Sequence, residues 1–238
     1  MKDQMEAVEQ ARQRAQVQLA AAALLPARFL MEVFQSPEVD AWPRQCVGDS
    51  FDFLTARSIN LKGKAAVRAV TTACLLETGF TEVGVKDALM MDGDVADAVI
   101  EPGEILIARS NTPALVGRAA LFEGSAQRLV ASDLIIRLRC RAGLEPGFAA
   151  AWFSYQFVTG YWRERASGAS DTMKKIGRAQ LAATDIPIPE IKTQRRIAAR
   201  LREQFEQLQQ LKSALSDQLA ALDQLPGAYL REAFGNLE

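Results

Sequence analysis

Apolar residues recur along this chain in three different rhythms. Between 192 and 234, Leu201, Phe205, Leu208, Leu215, Leu219, Leu222 and Tyr229 are spaced by steps of four, three and seven. That spacing marks the stripe of a coiled-coil helix, with Lys212 as a polar position in the seam. At 1.5 Å per residue the helix would reach roughly 65 Å, and its stripe needs a partner. The partner is either another helix of the same chain or a second copy. Residues 3–34 offer a shorter version, in which Met5, Val8, Ala15, Leu19, Ala22 and Phe29 alternate with Glu6, Glu9, Arg12 and Arg14. Pro26 and Pro226 are expected to kink the two helices near their ends.

Between the helices the rhythm shortens. GEILIAR (103–109), RAALF (118–122) and SDLIIRLR (132–139) are aliphatic runs bounded by Gly, Pro, Asn and Asp, the signature of strands and turns. Residues 147–166 read as an aromatic-rich helix and 178–184 as a short one. The prolines of DIPIPEI (185–191) then hold an extended link into the long helix. On the 147–166 helix Trp152, Phe153, Tyr155, Phe157, Tyr161 and Trp162 suit core packing better than base stacking. The expected fold class is α+β. One globular domain with mixed or antiparallel β-structure (37–190) is flanked by an N-terminal helix (1–36) and a long C-terminal coiled-coil helix (191–238).

One phrase occurs twice. QLAAAALLPARFLMEVF (18–34) and QLAALDQLPGAYLREAF (218–234) agree at nine of seventeen positions, including Leu25/Leu225, Pro26/Pro226 and Phe34/Phe234. A repeat at this separation is not a solenoid unit. It reads as one module bracketed by two copies of a spacer.

Composition narrows the chemistry. With 49% hydrophobic residues the chain is not disordered. No run of 18 uncharged apolar residues exists, so no membrane span is expected, and MKDQMEAVEQARQR reads as a polar helix rather than a secretory leader. Cys46, Cys74 and Cys140 form no CxxC pair, and an odd count argues against a disulfide framework, which points to a reduced, cytoplasmic protein. The absence of histidine removes Ser-His-Asp and Cys-His catalysis and His-ligated zinc. Neither a GxxxxGK(S/T) loop nor a glycine-rich dinucleotide fingerprint occurs.

Charge is unevenly placed. From Glu82 to Glu104 seven acids face Lys86 alone, a net of −6; from Ile105 to Arg178 eleven bases face five acids, a net of +6. The basic half is either ordinary solvated surface or a face turned toward phosphates. Its densest polar constellation follows the strand that ends at Ala108: Arg109, Ser110, Asn111 and Thr112 on a turn set by Pro113, then Val116-Gly117-Arg118. Arginine matches the O6 and N7 acceptors of guanine, and asparagine the N6 and N7 edge of adenine. Ser-Asn-Thr-Pro is also common turn chemistry. A second Gly/Ser loop, SGASDTMKKIG (167–177), carries Lys174 and Lys175, which suit phosphates as point charges, or it is a plain surface loop.

PGEILIARSNTPALVGRAALF (102–122) resembles the target-recognition domain of the specificity (S) subunit of type I restriction-modification systems, with its GDILLxR strand followed by SNxxxLVGRAA. VRAVTTACL (67–75) upstream, and ASDLIIRLR (131–139), the join IPIPxxxxQxRI within 186–197 and the terminal LREAFGNL downstream, fall in the family's order. The resemblance implies a sequence-specific DNA-binding subunit without catalysis or cofactor. Its partners would be double-stranded DNA, an adenine-methylating M subunit that holds S-adenosylmethionine, and a restriction (R) subunit. It also implies a DNA-binding set of Arg68, Arg109, Ser110, Asn111, Thr112, Arg118, Ser170, Lys174 and Lys175. A full S subunit has two recognition domains separated by two similar antiparallel helices. This chain matches one domain and its flanking spacers, so either it pairs as a homodimer through the long helices or it is a fragment. The alternatives are a coiled-coil scaffold with little DNA readout and an autonomous DNA-modifying enzyme; against the latter, no NPPY-type or PD…ExK-type pattern occurs.

Overall fold

The coiled-coil stripe folds as its spacing predicts. In the computed structural model a single helix runs over Ile191–Phe234, and Leu201, Leu208 and Leu215 of the stripe are buried. The structure describes residues 2–59, 63–170 and 172–234, the side chains at 2, 169, 170, 226 and 228–234 excepted. Two compact units result, one from the two ends of the chain (up to Arg28 and from Arg202), the other from Phe29–Leu201.

In the first unit the helix Lys2–Ala23 lies with the distal part of the long helix. Ala15 and Ala22 are buried on one, Leu208 and Leu215 on the other, and Arg12 Nε meets Asp223 at 3.2 Å. The stripe therefore finds its partner within the chain. A homodimer through the long helices is not required to cover Leu208 and Leu215. The first helix breaks at Leu24, just before Pro26, and resumes as Leu25–Phe34. At Pro226, by contrast, the helix continues without a break to Phe234. An 18-residue window within Asp3–Phe34 reaches a mean hydropathy of 1.5, so by length and composition this stretch could cross a membrane, contrary to expectation. The break at Leu24 interrupts it, and Leu30, Val33 and Phe34 are buried in protein.

The second unit is built on an antiparallel sheet of four strands in the order Phe51–Leu54, Ile135–Cys140, Glu104–Ala108, Ala119–Phe122. Every residue of Glu104–Ala108 is buried, which explains an aliphatic run without alternation. The helix Pro146–Val158 packs on this sheet, with Phe148 and Phe153 fully buried. The Phe34 ring centroid lies 5.6, 5.3 and 5.3 Å from those of Phe148, Trp152 and Tyr155. The first copy of the repeated phrase thus ends inside an aromatic cluster. The aromatic helix is shorter than its sequence suggests: Gly160 takes a left-handed conformation (φ 78°) and a second helix, Tyr161–Arg165, starts there. A smaller mixed sheet orders Leu129–Ala131, Ala65–Val70 and Lys86–Met90, the first pair parallel.

Acids of the 82–104 stretch are paired within this unit, some by the basic stretch and some by arginines that precede both. Glu104, fully buried, receives Arg137 through two bonds (Nε at 2.8 Å, Nη2 at 2.9 Å) and Arg139 Nη2 at 3.1 Å. Arg57 pairs with Asp97 at 2.6 Å and Asp94 at 3.4 Å, and Arg68 with Asp87 at 3.2 Å. Of the eleven bases in the basic stretch, Arg137 and Arg139 are therefore spent within the fold rather than on a partner.

The three cysteines are free thiols. Burial pushes Cys140 up to about 12, with the charge of Glu145 adding to it, and burial also raises Cys74, which has no exposed surface. Partial desolvation and the neighbouring Asp185 raise Cys46 as well, but it is the exposed thiol, so a thiol reagent near about pH 8 is expected to modify the native chain at Cys46 alone. Unfolding should release the other two. Rapid uptake of a second equivalent by folded protein would contradict this.

Candidate nucleic-acid interface

The two polar loops singled out in the sequence come together in one small sheet. Ser110–Asn111 is not a turn but a strand. It pairs antiparallel with Met173–Lys175, which pairs in turn with Ser167–Ser170. Opposite residues are Lys174 with Asn111 and Lys175 with Ser110, and the Ile176 N–H continues the ladder to the Arg109 carbonyl at 2.8 Å. Side chains alternate between faces along a strand, and cross-strand partners share a face.

The inner face carries Asn111 and Lys174. Asn111 Nδ2 donates to Thr72 Oγ1 and Asn111 Oδ1 accepts from the Thr112 N–H, both at 2.8 Å. Its amide is thus used inside the protein, tying the strand to the segment after Ala65–Val70. Lys174 Nζ donates to the Gly168 carbonyl at 3.2 Å and closes its own hairpin. The outer face carries Ser110 and Lys175, with Met173 two residues before Lys175 on the same side. The Ser110 hydroxyl approaches Met173 Sδ at 3.4 Å. Lys175 and Thr112 are exposed and Met173 is 54% exposed.

Arg109 immediately precedes the strand, opposite buried Ile176, and by the same alternation it lies on the side of Asn111. Its Nη1 reaches the Asp133 carbonyl at 3.4 Å, and its Nε is buried without a hydrogen-bond partner among the described residues. A guanidinium so sparsely used retains donors for an incoming acceptor. Arg118 differs: its Nη1 donates to the Leu75 carbonyl at 3.3 Å, Glu77 lies 3.6 Å away, and the guanidinium sits over the Phe157 ring. It braces the fold. Gly117 beside it has φ 84°, and a Cβ there would fall 2.5 Å from Trp162 Cδ1, so this position excludes any side chain unless the indole moves. Arg68 lies in the other sheet, paired with Asp87, and the Ser170 side chain lies outside the described residues.

Sequence reasoning missed Met173, and it missed the division of the candidate residues between two faces. Alternation was visible in the residues themselves, but its phase depends on a pairing across some sixty positions that no local pattern reports. Among the described residues no cluster of three or more His, Cys, Asp or Glu could hold a metal.

No family model and no curated protein matches the sequence. Solved structures do match. A chain from a structure of complex assembly and conformational transition in the type I R-M system superposes with a TM-score of 0.71 at 24% identity, covering 98% of this chain and 56% of that one. The HsdS subunit of Thermoanaerobacter tengcongensis gives 0.61 at 23% identity (98% and 55% covered). The type I restriction-modification S subunit of M. genitalium gives 0.55 at 10% identity (92% and 57% covered). The chain spans about half the length of the solved structures it matches. It has the fold of the type I restriction-modification specificity subunits.

Proposed function

We propose that this chain is a non-catalytic, sequence-specific DNA-binding subunit that directs a type I methyltransferase and nuclease complex to its target. The observation that carries this reading is the outer face of the Ser110–Asn111 and Met173–Lys175 ribbon. It sets hydroxyls and an ammonium group on a hydrogen-bonded sheet, with Arg109 next in sequence at the start of the ribbon, and a two-stranded ribbon fits the major groove. Arg109 reads a base edge, Lys175 holds a phosphate, and Asn111 and Lys174 position the ribbon from behind. In this reading S-adenosylmethionine and base chemistry belong to the M subunit, and the chain works in the cytoplasm with no cofactor of its own.

Selection from a pool of random duplexes tests the proposal, and a defined sequence should be enriched. On that site Arg109→Ala is expected to cost about 1–3 kcal/mol and relax discrimination at one base pair. Lys175→Ala should weaken binding to all sequences alike and lower the salt slope by about one unit. Failure to enrich any sequence at low salt overturns the reading.

A bipartite target needs a second recognition surface, and the half-length match suggests that a second copy of this chain supplies it. The seam at Leu208 and Leu215 is already covered, so the contact would use exposed apolar residues of the helical unit, such as Val17, Leu24 and Leu211. Sedimentation equilibrium should then give the mass of two chains, and Val17→Lys should return it to one. A single-chain mass for the unaltered protein at high concentration removes the homodimer.

A further inference from the structure

The groups on the outer face of the ribbon differ in what they can discriminate. An ammonium group such as Lys175 is a point charge suited to phosphate, and serine or threonine hydroxyls serve either donors or acceptors. Neither kind distinguishes bases strongly. Met173 is of another type. It is 54% exposed, on a strand whose other members are both lysines, with the Ser110 hydroxyl as its polar neighbour at 3.4 Å. A bare thioether among cations and hydroxyls is of no use to phosphate. The major-groove edges of the four base pairs carry one apolar group, the C5-methyl of thymine. A long, unbranched, polarisable side chain adapts well to such a contact.

Resting on the DNA-reading function proposed above, we infer that Met173 is a specificity-determining residue that contacts the C5-methyl group of a thymine. Arg109 and Met173 then divide the work: one recognises hydrogen-bond acceptors, the other the methyl group, from one rigid ribbon. Leu134, 50% exposed, whose carbonyl accepts from the Arg109 N–H at 2.9 Å, is another exposed apolar side chain beside this site and serves as the control.

The test uses the full chain as wild type, Met173→Ser, Met173→Leu and Leu134→Ser, on the duplex obtained by selection. Each thymine is replaced singly by deoxyuridine, which removes the methyl group and leaves the pairing edge intact. At one position deoxyuridine is expected to weaken wild-type binding about fourfold, the size of one buried methyl group. Met173→Ser should bind both versions equally, while Met173→Leu and Leu134→Ser keep the preference. Thermal unfolding of the variants should match wild type, because Met173 and Leu134 are exposed. If wild type and Met173→Ser respond alike at every thymine, if Leu134→Ser alone erases the preference, or if the selected site contains no thymine, the assignment of Met173 is wrong. If no sequence is selected, the DNA-reading function itself fails and the inference with it.

Discussion

Replacing Glu104 by alanine should destabilise the chain by about 3–5 kcal/mol, the loss expected when one partner of a buried ion pair is removed. Glu104 has no exposed surface and Arg137 only 3%. Their paired bonds at 2.8 and 2.9 Å join neighbouring strands of the central sheet. Arg137 also donates to the carbonyls of Thr55 at 2.8 Å, Asp97 at 2.6 Å and Val99, while Glu104 accepts from the Glu101 N–H at 3.1 Å. Without the carboxylate, Arg137 keeps its charge and its carbonyl contacts but loses its anionic partner, and at 3% exposure it cannot turn to water. Glu104→Gln should fall between, since the amide keeps one acceptor oxygen but turns an NH2 donor toward an arginine N–H and leaves the charge uncompensated. Denaturant midpoints with unchanged slopes would measure both losses. A loss below about 1 kcal/mol for the alanine variant would mean that water reaches Arg137, and the buried network would have to be abandoned.

The second large effect is expected at Gln194, where alanine should cost about 2–3 kcal/mol by leaving one buried and two partly buried backbone groups without their partner. Gln194 is wholly buried in the first turn of the long helix. Its Oε1 accepts from the Glu145 N–H at 2.8 Å, and its Nε2 donates to the carbonyls of Gly143 at 3.1 Å and Pro189 at 2.7 Å. Glu145 in turn caps the helix Pro146–Val158 by accepting from the Phe148 N–H at 2.5 Å. One side chain therefore locks the proline-rich link to the helix that backs the central sheet. This is the physical content of the glutamine in the IPIPxxxxQxRI phrase. Glutamate at 194 should be nearly as damaging as alanine, because it lacks the donor that two carbonyls require. A thermal midpoint within a degree or two of wild type would show that those groups find other partners.

Both networks bear on how much the sequence by itself could say. The stripe through Leu201, Leu208 and Leu215, the buried run Glu104–Ala108 and the break near Pro26 were legible because each depends on neighbours within a few residues. Helical and extended periodicities act at that range, so a local window captures them. The candidate residues Arg109, Ser110, Thr112 and Lys175 were likewise legible as a polar constellation. What each does was not. Only the tertiary structure decided that Ser110–Asn111 pairs with Met173–Lys175, and that register turns Asn111 and Lys174 inward and leaves Met173 outside. A shift of one residue in the pairing would have reversed the faces, and nothing local to either segment sets it. The same holds for charge. Arg137 and Arg139 count as basic surface in the sequence, yet Glu104, over thirty positions away, takes both. The helix over 147–166 parts at Gly160, because a glycine that tolerates φ 78° lets the chain turn where tertiary packing asks for it. Sequence alone determined which segments could be helix, strand or polar loop, since those preferences are local. Which side chains remain free to meet a ligand was decided by contacts between segments far apart in the chain, and those exist only once the sheets have formed.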